Sequence, residues 1–408
     1  MKFTQVLYKI HIGKAVRYLW QHQRERRVMP TKAESILTRM GLQVKDAKDI
    51  VAEPKCYPIF EFEEGTDLNT VNTTQTDLGD QSCLTYEDHN VLQAGVPQAC
   101  LLTNTVQLDN KLPEKIEELF TDIPDDVNKL LRRIVYTSTI YDPQQVKLPI
   151  VKDPERPAWV FPRTYGITST RKMHNLTKRF LQLCEMLSGL NIAQHRAVVH
   201  DGICCVGIDK EDDFIQFSLK MDMMMTSTRS LSPIMNVNTN NEFDMPNIYP
   251  LHHCISLTKA NVRKSDMYPI NMKTPIVNDI HTIFINYDPE EVKNLTELPV
   301  TENQIYARSM MKSFTAAAGC ARQKFGENVK ELPEPVVVQC IQSDGQNFQF
   351  SVYQLNTLDM DSKNIRNYWW AEPFIKLYES AQYDEGKPCV QEYNKEVFKR
   401  FLAFYRNQ

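Results

Sequence analysis

The residues best suited to chemistry by type and spacing are His252, His253 and Cys254, three consecutive side chains. An imidazole beside a thiol can act as the base that activates a cysteine nucleophile. Neighbouring side chains on a strand point to opposite faces, so on a strand His253 would not meet Cys254. His200-Asp201 is interpreted as turn chemistry at a hairpin tip. One alternative stays open, an enzyme of unknown substrate that uses Cys254 or His200 as its catalytic group.

Other catalytic and cofactor motifs are missing from the sequence. It contains no G-x-S-x-G, no Walker loop, no dinucleotide fingerprint and no H-E-x-x-H. Only 13 of the 408 residues are Gly, which argues against phosphate-cradling loops. The ten cysteines include no C-x-x-C pair, and their spacing does not predict a zinc site. We therefore expect buried reduced thiols, no catalytic motif and no metal site.

One basic stretch could contact RNA. Between Arg156 and Cys184 the chain has six bases and no acid, with aromatic residues interleaved. Bases can neutralise phosphates, and aromatic rings can stack on unpaired bases. A solvated helix face is the other interpretation of such a charge run. The candidate RNA-contact residues are Arg163, Arg171, Lys172, Lys178 and Arg179.

The first 27 residues have a different composition from the rest. They contain seven bases and one acid, and their apolar residues follow helical spacing. This pattern is typical of a mitochondrial import segment, although a retained basic surface helix would look similar. Without residues 1–27, Lys and Arg number 40 and Asp and Glu number 50, a net charge of −10. Nucleic-acid affinity depends mainly on phosphate neutralisation, so any RNA contact must be local.

Apolar periodicity and turn residues predict an α+β fold, with a mainly antiparallel sheet of hairpins, packed helices and an extended N-terminal segment. We expect residues 28–110 to form an extended region and 111–408 to form the core, with a sub-boundary near 150–165. No apolar run is long enough for a membrane span. The main element predictions are a buried strand Val96–Thr105, a hairpin around Asp201-Gly202, another around Asp344-Gly345, and helices 171–187, 302–325 and 394 onward.

Four blocks of sequence carry a family resemblance. They are LQAGVPQACLLTNT at 92–105, HHCISLTKAN at 252–261, PVVVQCIQSDGQNFQFSVYQLNT at 335–357 and NKEVFKRFLAFYRN at 394–407. Together they resemble the family of the mitochondrial large-subunit ribosomal protein numbered thirty-seven, which is shared with programmed cell death nine. None of these blocks is a catalytic motif, so the resemblance depends on their number and order.

The resemblance implies a structural constituent of the large subunit of the mitochondrial ribosome, located in the matrix and supporting mitochondrial translation through protein and rRNA binding. It implies no enzymatic activity and no cofactor. The implied partners are other large-subunit proteins, including the paralogous programmed-cell-death-nine protein, and ribosomal RNA. We expect the paralogue to dock on the apolar terminal helix and the hairpin edges. The alternatives are a matrix enzyme of unknown substrate and the paralogous protein itself.

Overall fold

A computed structural model describes residues 31–43, 79–141, 144–148, 155–156, 165–236, 243–270, 279–296 and 298–408. The predicted import segment, the connector around 157–164 and Arg163 lie outside these ranges. The chain divides into two compact units, Met1–Gln75 and Thr76–Gln408. This division lies before residue 110, because residues 79–107 form elements of the second unit.

The described part of the first unit contains one helix, α1 (Lys32–Arg39). A reciprocal capping box begins it. Thr31 Oγ1 accepts from the Glu34 amide at 3.2 Å, and the Glu34 carboxylate accepts from the Thr31 amide at 2.5 Å. This reciprocal pair of hydrogen bonds satisfies two amides that the first turn of the helix would otherwise leave unpaired.

The second unit contains most of the described elements. Its helices are α2 (Val96–Thr103), α3 (Glu114–Glu117), α4 (Asp125–Val135, continued by a π-helical turn Tyr136–Ile140), α5 (Ser169–Ser188), α6 (Leu190–Ala193), α7 (Glu302–Phe325) and α8 (Glu396–Arg406). Its strands are β1 (Gly79–Glu87), β2 (Thr105–Gln107), β3 (Val146–Lys147), β4 (Tyr165–Gly166), β5 (Arg196–Lys210), β6 (Asp213–Ser227), β7 (Thr258–Val262), β8 (Asp279–Asn286), β9 (Glu331–Ser343), β10 (Asn347–Thr357), β11 (Asn367–Ala371), β12 (Ile375–Lys376), β13 (Ser380–Asp384) and β14 (Lys387–Gln391). Among the residues that the structure describes, no helix combines the length and apolar character needed to cross a bilayer.

Ten of the strands form one mixed sheet, in the order β2-β11-β10-β9-β8-β6-β1-β7, with β12 on β10 and β5 on β6. The β5–β6 and β9–β10 hairpins make it mainly antiparallel. The pairs β2–β11, β8–β9 and β1–β6 are parallel. The predicted α+β class, with antiparallel hairpins and packed helices, is confirmed.

Helices cover both faces of the sheet. Side chains on β9 and β10 alternate between two apolar clusters, because successive residues of a strand point to opposite faces. Val338 and Tyr353 pack in the cluster that contains α7, whereas Val337 and Phe350 pack in the cluster that contains α5 and α8. The sheet therefore forms the middle layer between α7 on one face and α5 with α8 on the other.

The apolar stripe of α8 is a core element. Val397, Phe398, Phe401, Leu402 and Tyr405 are all buried. Phe401 packs 5.6 Å from Phe180 of α5 and 5.5 Å from Phe284 of β8, measured between ring centroids. The β9–β10 hairpin lies inside the sheet, between β8 and β11. The expectation that this helix and these hairpin edges dock a paralogue was wrong, because the protein's own fold covers them.

Two predictions of local structure were also wrong. Residues 96–103 form helix α2 instead of a strand, because Gly95 turns the chain at φ +66° and a proline lies in the first helical turn. Asp201-Gly202 lies within β5, which pairs with β6 along its whole length. The hairpin turn is Glu211-Asp212, where Glu211 adopts φ +52°. Asp201 pairs with Lys220 at 2.7 Å.

Candidate functional site

Helix α5 carries the four described residues of the predicted RNA contact. It begins at Thr168, whose hydroxyl accepts from the Arg171 amide at 3.3 Å, and ends at Gly189, where φ is +76°. The inner face buries Met173, Leu176 and Phe180 against the sheet. The predicted helix 171–187 is thus confirmed, and its buried face fixes which side of the helix solvent can reach.

The structure separates the four bases by environment. Lys178 is exposed, and Arg171 and Lys172 are half-buried. The Arg179 guanidinium donates to the hydroxyl oxygens of Thr137 and Ser138 in the π-helical turn after α4. Arg171, Lys172 and Lys178 are the three that could reach a phosphate, whereas Arg179 ties α5 to its neighbour.

Polar side chains, some positively and some negatively charged, lie beside the part of α5 that contains His174. The His174 ring lies 5.5 Å from the His200 ring of β5, centroid to centroid. Burial, followed by the nearby His200 and Lys178, lowers the pKa of His174. Asp201 and Lys220 form an ion pair beside them. His200 therefore lies within a strand, packed against an imidazole, and it does not occupy a hairpin tip.

The 252–254 segment forms a turn and not a strand. The ligand-capable atoms of His252, His253 and Cys254 consequently lie within 4.8 Å of one another. The two imidazole rings are 4.1 Å apart, centroid to centroid. The prediction that the side chains of His253 and Cys254 would not meet was wrong, because alternation applies only to extended backbone.

The surroundings of Cys254 do not activate it as a nucleophile. Its Sγ donates to Asp213 Oδ2 at 3.4 Å, so its hydrogen-bond acceptor is a carboxylate. Burial, together with the Asp213 carboxylate, raises the pKa of the thiol to about 12. A thiol with that pKa forms almost no thiolate near neutrality, and the thiolate is the reactive form of cysteine. The enzyme alternative therefore receives no support from the geometry at Cys254.

A buried charge cluster was missed by sequence reasoning. Lys312 of α7 is 2% exposed, and its Nζ lies 2.7 Å from Asp88 Oδ1. Arg308, one helical turn earlier, lies 3.5 Å from the same carboxylate oxygen. Lys312 Nζ also donates to the Lys220 carbonyl oxygen. The signal was available, since these two bases lie in an otherwise apolar run of α7.

Burial and charge act in opposite directions inside this cluster. Burial lowers the pKa of Lys312 to about 8, although Asp88 partly offsets that effect. For Asp88, burial raises the pKa, but Lys312 and Arg308 together outweigh it and the net pKa is lowered. The cluster joins α7 to Asp88, the residue that follows β1.

Similarity to known proteins extends over most of the chain. Rat large ribosomal subunit protein mL37 is 24% identical over 352 residues, which cover 80% of this chain and 75% of the rat protein. The bovine protein of the same name is 25% identical over 349 residues, with the same two coverages. The chicken protein is 28% identical over 222 residues, and the match spans about half of each, 48% of this chain and 48% of the relative.

The chain is therefore similar to proteins named mL37 over most of its length. Residues 295–408 also match the family described as Mitochondrial 28S ribosomal protein S30 (PDCD9). In this chain, these residues form α7, β9 to β14 and α8. The family match therefore covers the core of the sheet and leaves the basic helix α5 outside it.

Proposed function

We propose that this protein is a structural component of the large subunit of the mitochondrial ribosome and supports translation in the matrix. The observation that carries the proposal is the alignment with relatives named large ribosomal subunit protein mL37 over 80% of the chain. The basic start, residues 1–27, is consistent with import into the organelle. The hydrogen bond from Cys254 Sγ to the Asp213 carboxylate, together with the raised pKa of the thiol, argues against nucleophilic chemistry at this residue.

The RNA contact that we propose is local and is made by helix α5. Arg171, Lys172 and Lys178 supply it, together with Arg163 at the preceding connector. Arg179 holds the helix in position through the hydroxyls of Thr137 and Ser138. A protein with a net charge of −10 outside residues 1–27 binds phosphate only where bases are concentrated. The remaining surface then faces protein or solvent.

We also propose that neighbouring proteins of the subunit, including the paralogous PDCD9 protein, pack on exposed apolar side chains. Met186 at the end of α5 is 77% exposed, and Leu190 at the start of α6 is 82% exposed. Met186 follows Lys178 by about two helical turns on α5, and Leu190 lies four residues after Met186, beyond Gly189. A protein contact there would lie beside the RNA contact, as expected at the edge of a ribonucleoprotein.

The test of the ribosomal role is sedimentation of tagged full-length protein from mitochondrial lysate at low magnesium, where ribosomal subunits separate. Comigration with large-subunit rRNA supports the proposal. Comigration with small-subunit rRNA would favour the 28S name that the PDCD9 family carries. A peak at the top of the gradient, free of rRNA, would contradict both and return attention to a matrix enzyme.

The test of the RNA contact is the combined variant Arg171→Glu, Lys172→Glu and Lys178→Glu. Arg179 is left unchanged because its hydrogen bonds support the fold. We expect weaker binding of purified protein to mitochondrial rRNA and a salt-dependence slope that falls by roughly one for each base that no longer neutralises a phosphate. Lys129→Glu is the control, since Lys129 is 79% exposed on α4. Equal effects of the control and the triple variant would remove the RNA role from α5.

A further inference from the structure

The 252–254 turn gathers three metal-ligand types at one point. Donor atoms of His252, His253 and Cys254 lie within 4.8 Å of one another. A fourth donor comes from a distant part of the chain, because Asp213 Oδ2 lies 3.4 Å from Cys254 Sγ. Asp213 is the first residue of β6, so the turn and the sheet meet at this cluster.

The backbone under this cluster is held firmly. Ile255 N donates to the His252 carbonyl at 3.0 Å, and Leu257 N donates to the Cys254 carbonyl at 3.2 Å. The fully buried Gln98 of α2 donates its amide to the carbonyls of His253 at 2.8 Å and Ile255 at 2.6 Å. The four side chains therefore stand on a rigid support, which is a condition for a site of defined geometry.

A buried nitrogen atom of His253 is a second observation that favours a bound ligand at this cluster. His253 is 9% exposed, and its Nε2 is inaccessible to solvent and has no hydrogen-bond partner among the described residues. A buried polar atom without a partner is unfavourable by about 1–3 kcal/mol, so native proteins usually satisfy it. Gln98, by contrast, has both of its described carbonyl partners in place. The unsatisfied atom therefore belongs to one of the three side chains of the cluster.

We propose that His252, His253, Cys254 and Asp213 bind one zinc ion. Two imidazoles, one thiolate and one carboxylate supply four ligands with a combined charge of −2, which balances Zn²⁺. Zinc accepts this mixture of nitrogen, sulfur and oxygen donors in tetrahedral geometry, with bonds of about 2.0–2.3 Å. With four protein ligands no position is left for a substrate, so the site is structural and joins the 251–257 turn to β6.

Metal binding would exchange weak contacts for coordinate bonds. The Cys254 proton, now shared with Asp213, would be released to solvent, leaving thiolate and carboxylate to bind the ion. His252 Nδ1 accepts from the Cys254 amide at 3.3 Å, and coordination through that nitrogen would replace this long hydrogen bond. Donors around tetrahedral zinc are roughly 3.5 Å apart. The donors of the turn lie within 4.8 Å of one another and Asp213 is hydrogen-bonded to Cys254, so zinc binding would draw the three donors together and turn the Asp213 carboxylate toward the two histidines.

The direct test is titration of purified, chelator-treated full-length protein with Co²⁺ and Zn²⁺. We expect one Co²⁺ per chain, a thiolate-to-cobalt charge-transfer band, tetrahedral visible absorption, and displacement of the cobalt by stoichiometric zinc. Cys254→Ser should abolish the charge-transfer band. Cys389→Ser is the matched control, because Cys389 is the other half-buried cysteine among the described residues. Binding that survives Cys254→Ser, or that depends on Cys389, would overturn the proposal.

A second variant keeps the test valid should Cys254→Ser misfold. Asp213→Asn preserves size and should weaken zinc affinity by at least the 10–100-fold typical of groups that support metal ligands, while the far-ultraviolet circular dichroism stays that of wild type. Zinc should raise the melting temperature of wild-type protein and leave that of Asp213→Asn nearly unchanged. Equal stabilisation of both proteins by zinc, or no stabilisation of wild type, would refute the site.

Discussion

The buried lysine of α7 allows a quantitative prediction. Lys312 is 2% exposed, and burial lowers its pKa to about 8 from an ordinary 10.5. In the unfolded chain the side chain regains the ordinary value. Between these two pKa values the unfolded chain binds more protons than the folded protein, so the free energy of unfolding must rise as pH rises through this window. Below about pH 8 both states are protonated, and Lys312 adds no pH dependence.

The size of the effect follows from the two pKa values. Each pKa unit is worth about 1.4 kcal/mol, so a shift from 10.5 to about 8 corresponds to about 3.4 kcal/mol in total. About 2.5 kcal/mol of this total gain in the free energy of unfolding occurs between about pH 7 and about pH 10. Replacing Lys312 with Met keeps the length of the side chain and removes the titrating group. The wild type should therefore gain about 2.5 kcal/mol relative to Lys312→Met over that interval.

The assay is urea unfolding of both proteins across this pH range. Subtracting the free energy of unfolding of Lys312→Met from that of wild type removes the contributions of other groups that titrate in the same pH range. Tyr86, whose pKa burial raises to about 12, is one of them. Lys129→Met, at a lysine that is 79% exposed, is the control and should give a constant difference. A Lys312→Met difference that does not change with pH would refute the argument that the charge at position 312 is desolvated.

Two further predictions concern packing and backbone. Phe401→Ala removes a ring that packs against Phe180 and Phe284. It should lower the free energy of unfolding, measured by chemical denaturation, by about 3–5 kcal/mol. Met186→Ala, at an exposed site, is the control and should change that free energy by less than about 0.5 kcal/mol. Gly345→Ala, at φ +94°, should cost about 1–2 kcal/mol by thermal unfolding, and Gly386→Ala, at φ +77° with open space around it, should show the backbone part of that loss alone.

Elements with strong local signals were predictable from the sequence. Helix α7 begins at the capping box of Thr301 and Gln304 and ends at Gly326, as its sequence indicates. The β9–β10 hairpin turns at Asp344-Gly345, where Gly345 has a positive φ and the Asp344 carboxylate accepts from the Asn347 amide. In both cases the residues that set the conformation are close together in the sequence, so propensity and packing agree.

Elements decided by distant contacts were not predictable. Asp201-Gly202 has the composition of a turn, but pairing of β5 with the whole of β6 overrides it. The cluster at 252–254 depends on a turn that Gln98, more than 150 residues earlier, holds in place. The Lys312–Asp88 pair likewise joins residues 224 positions apart. Local periodicity contains no information about contacts of this range.

The position of α8 in the chain also matters for how the protein is made. This helix follows every other described element, yet its Phe398, Phe401 and Phe404 complete the apolar cluster on one face of the sheet. Until α8 has been synthesised, that face cannot be closed, and aromatic rings such as Phe180 and Phe350 remain open to other chains. Fragments that stop before α8 should therefore expose apolar surface and be prone to aggregation.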